Sequence, residues 1–492
     1  MGKKFDFNLL NEKDLKKIHL ESLRILKEIG IKVPHEQVLQ ILKEHGAIID
    51  FNNSNVRLSE KIVEKILEKA IDKQRKYYES SENKDKKISG WMIFSKNGDF
   101  IDYKDYKKRK ATIRDILNAI VVGNSLEFTT RISHFVEPEK YREYIDVICY
   151  YLLFIYSKKR YLLSYIGSVE SAKCIIEMAK IVSQDVKELK SGSMLEYELL
   201  PINNLEYSKE ALDIAYEFGK NKLKLLVGHW CWMGYHTPLT YASALTLSNA
   251  NLLAGIVIAM MLNPDQPYID YIMDIFTVNR NYKNTPIFGS PNQTILAIAA
   301  KQIADYYGFK TVFANVGLTD AIENNFQSGF ERGVSAALTI ASGAEIMGLE
   351  GLVGANQGVS FDQLIIDNEL LSYLNFIFNK KIIINKETLS FEKIKRKAIG
   401  DNFIEELDDK NKLREAYWES DIFNYKNYDD YSINTSNKET SRKFREILDN
   451  HFPPDCVIDK KKIKALDSII GFYIKDKKIL KAFMDELSEC LK

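Results

Sequence analysis

The feature that most constrains the fold is a regular alternation of helix-like segments and short apolar runs, which starts at about Ala111. Eight such runs fall within about 225 residues, close to the spacing that a barrel of eight β/α units requires. The predicted strands cover residues 126–132, 161–166, 190–195, 223–227, 268–276, 286–289, 311–316 and 345–349. A doubly wound open sheet shows the same alternation. The pattern therefore predicts an α/β core and leaves a closed and an open sheet as alternatives.

The segments on either side of this core have a different character. Before it, apolar residues recur at steps of three and four, which predicts helices. Residues 88–95 and 100–103, joined through Asn97-Gly98, then predict a β-hairpin. After about residue 380 the strand signal fades and the chain becomes helical and charged. We predict a helical N-terminal extension with a hairpin over residues 1–110, the α/β core over 111–380 and a helical C-terminal extension over 381–492.

Composition excludes several classes of function. The 69 Lys and Arg residues balance 68 Asp and Glu residues, so no net field attracts nucleic acid. Five scattered cysteines without a CxxC pair argue against a zinc site and are typical of a reducing compartment. The first residues lack the apolar core of a secretory signal, and the longest apolar stretch, residues 250–262, is too short to span a bilayer. We therefore expect a cytoplasmic protein that binds neither nucleic acid nor membrane.

The predicted loop after the fourth strand is rich in aromatic residues. Residues 229–240 contain Trp230, Trp232, Tyr235 and His236, although the whole chain has only 4 tryptophans. Aromatic faces attract a quaternary ammonium through cation–π interaction, worth roughly 0.5–2 kcal/mol per ring. The alternative is that the two indoles only pack against the end of the sheet. Both interpretations remain open from the sequence.

A second candidate segment follows the strand predicted at residues 311–316. Asn315 lies at the strand end, and Asp320, Gln327 and Glu331 recur at helical spacing after it. Carboxylates on one helix face could hold a cationic or hydroxylated ligand. The alternative is a capped helix with a solvated polar face.

Two further loops are weaker candidates. Residues 348–362 hold four glycines in eleven positions together with Gln357 and Phe361, but they match neither a Walker loop nor a GxGxxG dinucleotide motif. Residues 289–292 are typical of a helix start, with Ser290 as N-cap. The sequence contains no Ser/His/Asp arrangement around a nucleophile elbow and no HxxxH pair, so we expect no hydrolytic centre and no metal site.

Taken together, these segments resemble the trimethylamine methyltransferase family. The matching residues lie along nearly the whole chain, at 18–33, 249–250, 253–257, 263–264, 289–291, 304–308, 317–320, 327, 329, 331, 360–364 and 366–369. The resemblance implies a (β/α)8 TIM barrel with helical N-terminal and C-terminal extensions, which binds a methylated amine at its mouth. It also implies that a separate corrinoid protein docks there and supplies Co(I), with no cofactor bound tightly by the barrel itself.

The resemblance is to the branch of the family that lacks pyrrolysine, since no such residue occurs in the chain. That branch acts on betaine-like quaternary amines, whose nitrogen leaves without needing a proton. The implied reaction is therefore methyl transfer from a quaternary amine to the Co(I) of a corrinoid protein. Positioning the two reactants can supply roughly 7–11 kcal/mol of the barrier. By analogy with other large barrels, self-association into a homo-oligomer is a further expectation.

The expected substrate site combines both lines of reasoning. Asp320, Gln327 and Glu331 are carried over from the family motif, and the loop argument adds the remaining residues. The expected substrate-binding residues are Trp230, Trp232, Tyr235 and Phe361 around the cation, with His236, Asn315, Asp320, Gln327, Glu331 and Gln357 orienting the rest of the molecule. No catalytic residue and no metal ligand is assigned.

Four positions depart from the family pattern by losing a charge. They are Asn251, Asn292, Ile322 and Asn325. These departures favour a second hypothesis, in which the barrel keeps the amine pocket but has lost methyl transfer and acts as a binding or regulatory protein.

Overall fold

The computed structural model describes residues 8–80, 88–92, 99–102, 107–161, 165–192, 194–281, 285–309, 313–314, 316–397, 399–425, 427 and 435–492. These parts of the chain alternate between helices and strands. The helices are α1 Glu12–Glu28, α2 Glu36–Glu44, α3 Glu60–Ser80, α4 Ile113–Ser125, α5 Ile145–Tyr156, α6 Val169–Val182, α7 Val186–Lys190, α8 Lys209–Lys220, α9 Tyr241–Leu262, α10 Pro291–Tyr307, α11 Phe326–Ala341, α12 Phe361–Asn379, α13 Lys386–Leu389, α14 Phe391–Lys397, α15 Lys410–Ala416, α16 Thr435–His451, α17 Lys460–Tyr473 and α18 Lys477–Cys490.

The strands are shorter than most of the helices. They are β1 Ile31–Lys32, β2 Ile48–Asp50, β3 Asn55–Arg57, β4 Ser89–Met92, β5 Asp99–Asp102, β6 Lys107–Lys110, β7 Thr129–Ile132, β8 Arg160–Tyr161, β9 Glu196–Leu199, β10 Lys224–Met233, β11 Tyr271–Asn279, β12 Thr285–Ile287, β13 Phe313–Ala314, β14 Ile346–Glu350, β15 Leu352–Val353 and β16 Gly358–Val359. Two 3-10 turns, Glu139–Tyr141 and Ile404–Asp408, complete the regular elements of the described chain.

Two sheets form the centre of this α/β fold. One has the order β13-β14-β4-β7-β8, and every neighbouring pair in it is parallel. In the other, β9, β10 and β11 are parallel, and β12 pairs antiparallel to β11. The parallel strands are separated along the chain by helices, as parallel pairing requires, because each strand must return to its starting end. Two small sheets, β1-β3-β2 and β15-β16-β5-β6, lie outside this arrangement.

Two sequence predictions about strands are wrong, and a third strand is present but runs antiparallel to its neighbour. The described strands of the predicted hairpin, β4 and β5, do not pair with each other, because β4 pairs in parallel with β14 and β7 while β5 pairs with β6 and β16. The third predicted strand, residues 190–195, begins within α7, and the strand starts at Glu196 instead. The sixth, residues 286–289, is largely the antiparallel strand β12. The β9 strand escaped detection because Glu196 and Glu198 interrupt its apolar pattern.

The longest apolar helix, α9, lies in the core of the molecule. It is long and apolar enough to cross a membrane, but 89% of its most apolar window is buried inside the protein. It packs against α1, α3, β10 and β11. At its closest approach to the sheet, Gly255 faces Val227 and the hydroxyl of Tyr207. Burial on every side explains the lack of a polar face on this helix.

The C-terminal helices cover the outside of the sheet–helix core. The α16 helix packs on α12 and α4, α17 packs on α6 and α5, and α18 packs on α4. Hydrogen bonds anchor this layer: the Tyr151 hydroxyl donates to Asp467 at 2.6 Å, and the Tyr141 hydroxyl donates to Glu486 at 2.7 Å. The C-terminal segment is therefore part of the same packed structure as the sheets.

The close approach of α9 to β10 gives a test of the packing. A Cβ at Gly255 would lie 2.4 Å from Val227 Cγ1 and 2.9 Å from the Tyr207 hydroxyl. Overpacking of this kind costs about 1–3 kcal/mol, more than the ~1 kcal/mol that alanine gains over glycine in a helix. We expect Gly255→Ala to lower Tm. The matched control is Gly333→Ala in α11, where nothing lies within 4 Å of the added Cβ and Tm should rise slightly. A rise in Tm with Gly255→Ala would contradict this packing.

Candidate active site

The tryptophans predicted to bind substrate lie at the carboxyl end of β10. The strand pairs with β11 as far as Met233, so Trp230 and Trp232 belong to the strand and not to the loop that the sequence indicated. Residues two apart share one face of a strand. Val227 and Cys231 contact α9 from the other face. The two indoles therefore point to the face of the sheet opposite α9.

Trp230 is the partly exposed end of a row of three aromatic rings. Its ring centroid lies 5.9 Å from that of Phe276 on β11, and Phe276 lies 4.9 Å from Phe288. Phe276 and Phe288 are buried, whereas the Trp230 side chain is partly exposed. The row connects the end of β10 to the segment that follows β12, so these two strand ends face the same space.

Trp232, Tyr235 and His236 form a second aromatic group beside the first. The Trp232 ring lies 5.6 Å from Tyr235 and 5.3 Å from His236. Gly234, with a φ of +87°, permits the tight turn that returns His236 to the strand end. There His236 Nδ1 accepts a hydrogen bond from the Trp232 backbone N–H at 3.0 Å, and burial lowers the pKa of this histidine. The imidazole therefore holds the turn as a neutral acceptor.

The three residues of the family motif meet around the carboxylate of Glu331. Its Oε2 accepts hydrogen bonds from the Thr319 hydroxyl at 2.5 Å and from the Asp320 backbone N–H at 3.2 Å. Its Oε1 accepts a bond from Gln327 Nε2 at 2.9 Å. Burial, together with the charge of Glu331, raises the pKa of Asp320. The structure therefore brings the three residues into contact, and their binding of substrate stays a prediction.

Asp320 joins this group to the tryptophan row. Its Oδ1 accepts a hydrogen bond from the backbone N–H of Phe288 at 2.9 Å, and Phe288 is the last ring of the row. The turn that follows β13 and the end of β10 are thus linked by one hydrogen bond and two ring contacts. Trp230 and the motif residues lie on the same side of the molecule.

Three expected site residues have other surroundings or fall outside the described chain. Phe361 is buried in the main core, where its ring lies 5.3 Å from Phe135 and 4.7 Å from Phe444. Gln357 is exposed, and its carbonyl accepts a hydrogen bond from Lys108 at 3.2 Å. Asn315 lies outside the described residues. The structure therefore brings together Trp230, Asp320 and the Glu331 cluster, but it gives Phe361 the role of packing α12 against α16.

The sequence matches one known protein family over almost its full length. The family model described as trimethylamine methyltransferase (MTTB) matches residues 2–477. The chain belongs to this family. Glycine betaine methyltransferase of Desulfitobacterium hafniense (strain Y51) is 25% identical over 469 residues, 92% of this chain and 95% of that protein. Trimethylamine methyltransferase MttB of Methanosarcina thermophila is 24% identical over 412 residues, 81% and 83% of the two chains. Proline betaine:corrinoid methyltransferase of Eubacterium limosum is 21% identical over 436 residues, 86% and 88% of the two chains.

Family membership confirms the resemblance seen in the sequence and makes the protein a methyltransferase of the trimethylamine methyltransferase type. Some of the residues that carry the resemblance are structural. Asn249 is fully buried, where it accepts a hydrogen bond from the Tyr271 hydroxyl and donates to Ser22 and Tyr307. It thus ties α9 to β11, α1 and α10.

The charge-losing departures from the family pattern have clear structural surroundings. Asn251 accepts a hydrogen bond from the Leu205 backbone N–H at 2.9 Å, and Asn325 caps α11 by accepting from Ser328 N–H at 3.1 Å. Asn292 accepts from the Tyr241 hydroxyl at 2.5 Å. Ile322 lies against Gly354. Three of the four side chains are therefore satisfied by bonds that hold helices and loops together.

A buried ion pair next to the motif was missed by the sequence reasoning. Arg332 is 2% exposed, and its guanidinium contacts the carboxylate of Asp367 on α12 at 2.9 Å. The same guanidinium donates to the carbonyls of Gly317 and Leu352, and Asp367 accepts the N–H of Gly351 at 2.8 Å. The pair holds the segments after β13 and β14 to α11 and α12. The sequence offered one indication of this pair. Arg332 directly follows Glu331, and Asp367 lies within the stretch 366–369 that resembles the family.

A second group of buried charges lies between the strands. Lys224 on β10 contacts Asp270 at 2.6 Å and Glu196 on β9 at 3.2 Å, and Glu196 also pairs with Arg131 on β7. All four side chains are buried. Glu198, two residues after Glu196, shares this face of β9. Charged residues at alternate positions of an otherwise apolar strand were the signal for this network.

The Arg332–Asp367 pair yields a prediction about stability. Asp367→Asn leaves the buried guanidinium without its counter-ion, which should lower the free energy of unfolding by about 3–5 kcal/mol. Chemical denaturation measures the change. The matched control is Glu439→Gln, which removes one of the two carboxylate partners of the exposed Arg442 and should change stability by less than about 1 kcal/mol. Equal losses in the two variants would show that the buried pair has no special role.

Proposed function

We propose that this methyltransferase transfers a methyl group from a betaine-type quaternary amine to the Co(I) of a corrinoid protein. The observation that carries the proposal is the partly exposed ring of Trp230 at the end of a buried aromatic row. That row is joined directly to the motif residues around Glu331. An indole face beside carboxylates suits a permanently cationic nitrogen. The names of two relatives, a glycine betaine methyltransferase and a proline betaine:corrinoid methyltransferase, support the same substrate class.

We further propose that the two central sheets are parts of one (β/α)8 barrel with helical extensions before and after it. In chain order the parallel strands β4, β7, β8, β9, β10, β11, β13 and β14 are each separated by at least one helix, and β14 pairs with β4. In this arrangement β4 is the first barrel strand, although it lies in the segment expected to form the N-terminal extension. The amine site is then at the carboxyl ends of the strands, where barrel enzymes bind their substrates.

The chemistry asks the protein to hold and orient the reactants. The bond between the methyl carbon and nitrogen breaks, nitrogen keeps its electron pair, and cobalt supplies the pair for the new bond. No proton is needed, because a quaternary nitrogen leaves as a neutral amine. The aromatic row excludes water from one side of the cation, while Asp320 and Gln327 orient the rest of the amine. Catalysis of this kind rests on orientation, worth roughly 7–11 kcal/mol at best.

The alternative of an inactive binding protein receives no support from the departures that suggested it. Asn251, Asn292 and Asn325 form hydrogen bonds that hold helices and loops together, and Ile322 packs against Gly354, so all four residues have structural contacts. The proposal includes a corrinoid protein as methyl acceptor, a cytoplasmic location and self-association. The corrinoid is held by the partner protein, so the proposal assigns no tightly bound cofactor to this chain.

The direct test of the proposal is methyl transfer to free cob(I)alamin. Purified protein is incubated with cob(I)alamin and a panel that includes glycine betaine and proline betaine, and methylcobalamin is followed by its absorbance. We expect methylcobalamin and the demethylated amine in equal amounts with at least one quaternary amine. Binding of an amine without any methylcobalamin would select the binding-protein hypothesis instead.

The ring of Trp230 yields a second prediction for the same assay. Trp230→Leu removes the cation–π attraction, worth about 0.5–2 kcal/mol, and should raise KM for the amine roughly 2- to 30-fold. The matched control is Trp418→Leu. Trp418 lies in the C-terminal segment, where its N–H donates to Ser372 at 3.0 Å. An unchanged KM in Trp230→Leu would remove this ring from the site.

A further inference from the structure

We propose that Glu198 on β9 is the counter-ion of the substrate ammonium and that the bound cation displaces a proton from its carboxyl group. This inference rests on the proposed function, since it concerns the same site. It adds a residue that neither the motif nor the aromatic loop indicated. It also makes binding of the amine depend on pH.

The first support is the position of the Glu198 carboxyl group beside Trp230. Glu198 pairs with Leu226 of β10, and Gly228 and Trp230 follow Leu226 on the same face of that strand. A Cβ at Gly228 would lie only 2.4 Å from Glu198 Oε1. The carboxyl group therefore fills the space left by the missing side chain and extends along β10 towards the indole. The Trp230 side chain lowers the pKa of Glu198, against the larger effect of burial.

The second support is the lack of a protein cation for this carboxylate. Glu198 is only 8% exposed, and it forms no ion pair with any side chain in the described part of the chain. The two buried cations nearby are already engaged: Arg131 pairs with Glu196, and Lys224 pairs with Glu196 and Asp270. A buried carboxylate is costly unless a proton or a cation neutralises it.

Buried charged side chains lie on the strands around Glu198. Glu196 lies on the same strand, Arg131 on β7, Lys224 on β10, and Asp270 and Asp274 precede and belong to β11. Asp274 lies directly opposite Trp230 in the strand register. These side chains comprise four carboxyl groups, counting Glu198, and two cations. Of these groups, Asp270 acts on Glu198 through its negative charge.

Titration of Glu198 follows from this environment. Burial, with a further contribution from the negative charge of Asp270, raises the pKa of Glu198 to about 7. Without a ligand the carboxyl group is therefore about half protonated at neutral pH. A cation binds strongly only when the Glu198 carboxyl group is ionised. Binding therefore lowers the pKa of Glu198 and releases a proton. Affinity should then be constant at high pH and fall as pH drops below 7. From pH 8 to pH 6 the expected loss is about tenfold.

The experiment is titration calorimetry of the full chain with tetramethylammonium at pH 6, 7 and 8. Repeating it in two buffers of different ionisation enthalpy gives the number of protons released. We expect about tenfold weaker binding at pH 6 than at pH 8, with proton release near pH 7. Glu198→Gln should bind weakly at every pH and release no proton.

The matched control is Glu369→Gln. Glu369 on α12 is a second glutamate whose pKa is raised by burial, but its carboxylate accepts hydrogen bonds from Ser420 and from the Asp421 N–H, far along the chain from the strand network. This variant should keep the pH dependence of the unmodified protein. Loss of the pH dependence in Glu369→Gln would overturn the assignment to Glu198.

Three other results would also overturn the proposal. They are affinity that is independent of pH, pH dependence that survives in Glu198→Gln, and no binding of tetramethylammonium at pH 8. None of them bears on methyl transfer from betaines to cob(I)alamin, which is measured separately. Conversely, proton-linked binding of tetramethylammonium without any formation of methylcobalamin would support the role of Glu198 and contradict the proposed function.

Discussion

The ammonium group of Lys224 fixes much of the internal order of this protein. It lies on β10 with no exposed surface, and its contacts with Glu196 and Asp270 reach to either side of that strand. Three buried charges can be tolerated only when each has its partner at the right distance. The network therefore specifies which face of β10 turns away from α9. Because side chains alternate along a strand, the same choice decides where Trp230 points.

The two ends of the strands have different electrostatic roles. Near the start of β10, the cations of Arg131 and Lys224 are matched by carboxylates and the network is closed. Further along the same face, Glu198 lies beside Trp230 and forms no ion pair within the described chain. The charges near the start of β10 neutralise one another, whereas Glu198 further along has no cation of its own within the described chain. This arrangement suits the binding of a cationic ligand beside Glu198. The proposed substrate supplies that charge, and the proton supplies it when substrate is absent.

A second buried ion pair holds the loops that carry the motif. Arg332 and Asp367 are both buried, and together they fix the backbone of Gly317, Gly351 and Leu352. Glu331, one residue before Arg332, holds Thr319 and Asp320 from the outer side. Glu331 thus faces the candidate site, whereas Arg332, the next residue of α11, faces the interior. Positioning of this quality is what methyl transfer between two bound reactants requires.

Much of the fold and of the candidate site could be predicted from the sequence. The differences between prediction and structure involve partners that are distant in sequence. The α/β alternation, the apolar helix α9 and the convergence of Asp320, Gln327 and Glu331 follow from periodicity and motif. The strand β9 was missed because an apolar run was the criterion, whereas Glu196 is stabilised by cations that are distant in sequence. Phe361 was predicted to surround the substrate, and in the structure its ring contacts Phe135 and Phe444, which are distant in sequence.

The sequence by itself determined the α/β alternation, the family and the residues of the motif, because helix periods, caps and matching segments are read within short stretches of chain. Only the tertiary structure decided that β4 pairs with β14, that Arg332 meets Asp367 and that Glu198 extends past Gly228 to Trp230. Each of these depends on groups brought together from distant parts of the chain. The physical reason is burial: a charge or a strand edge is satisfied by whichever partner folding places beside it.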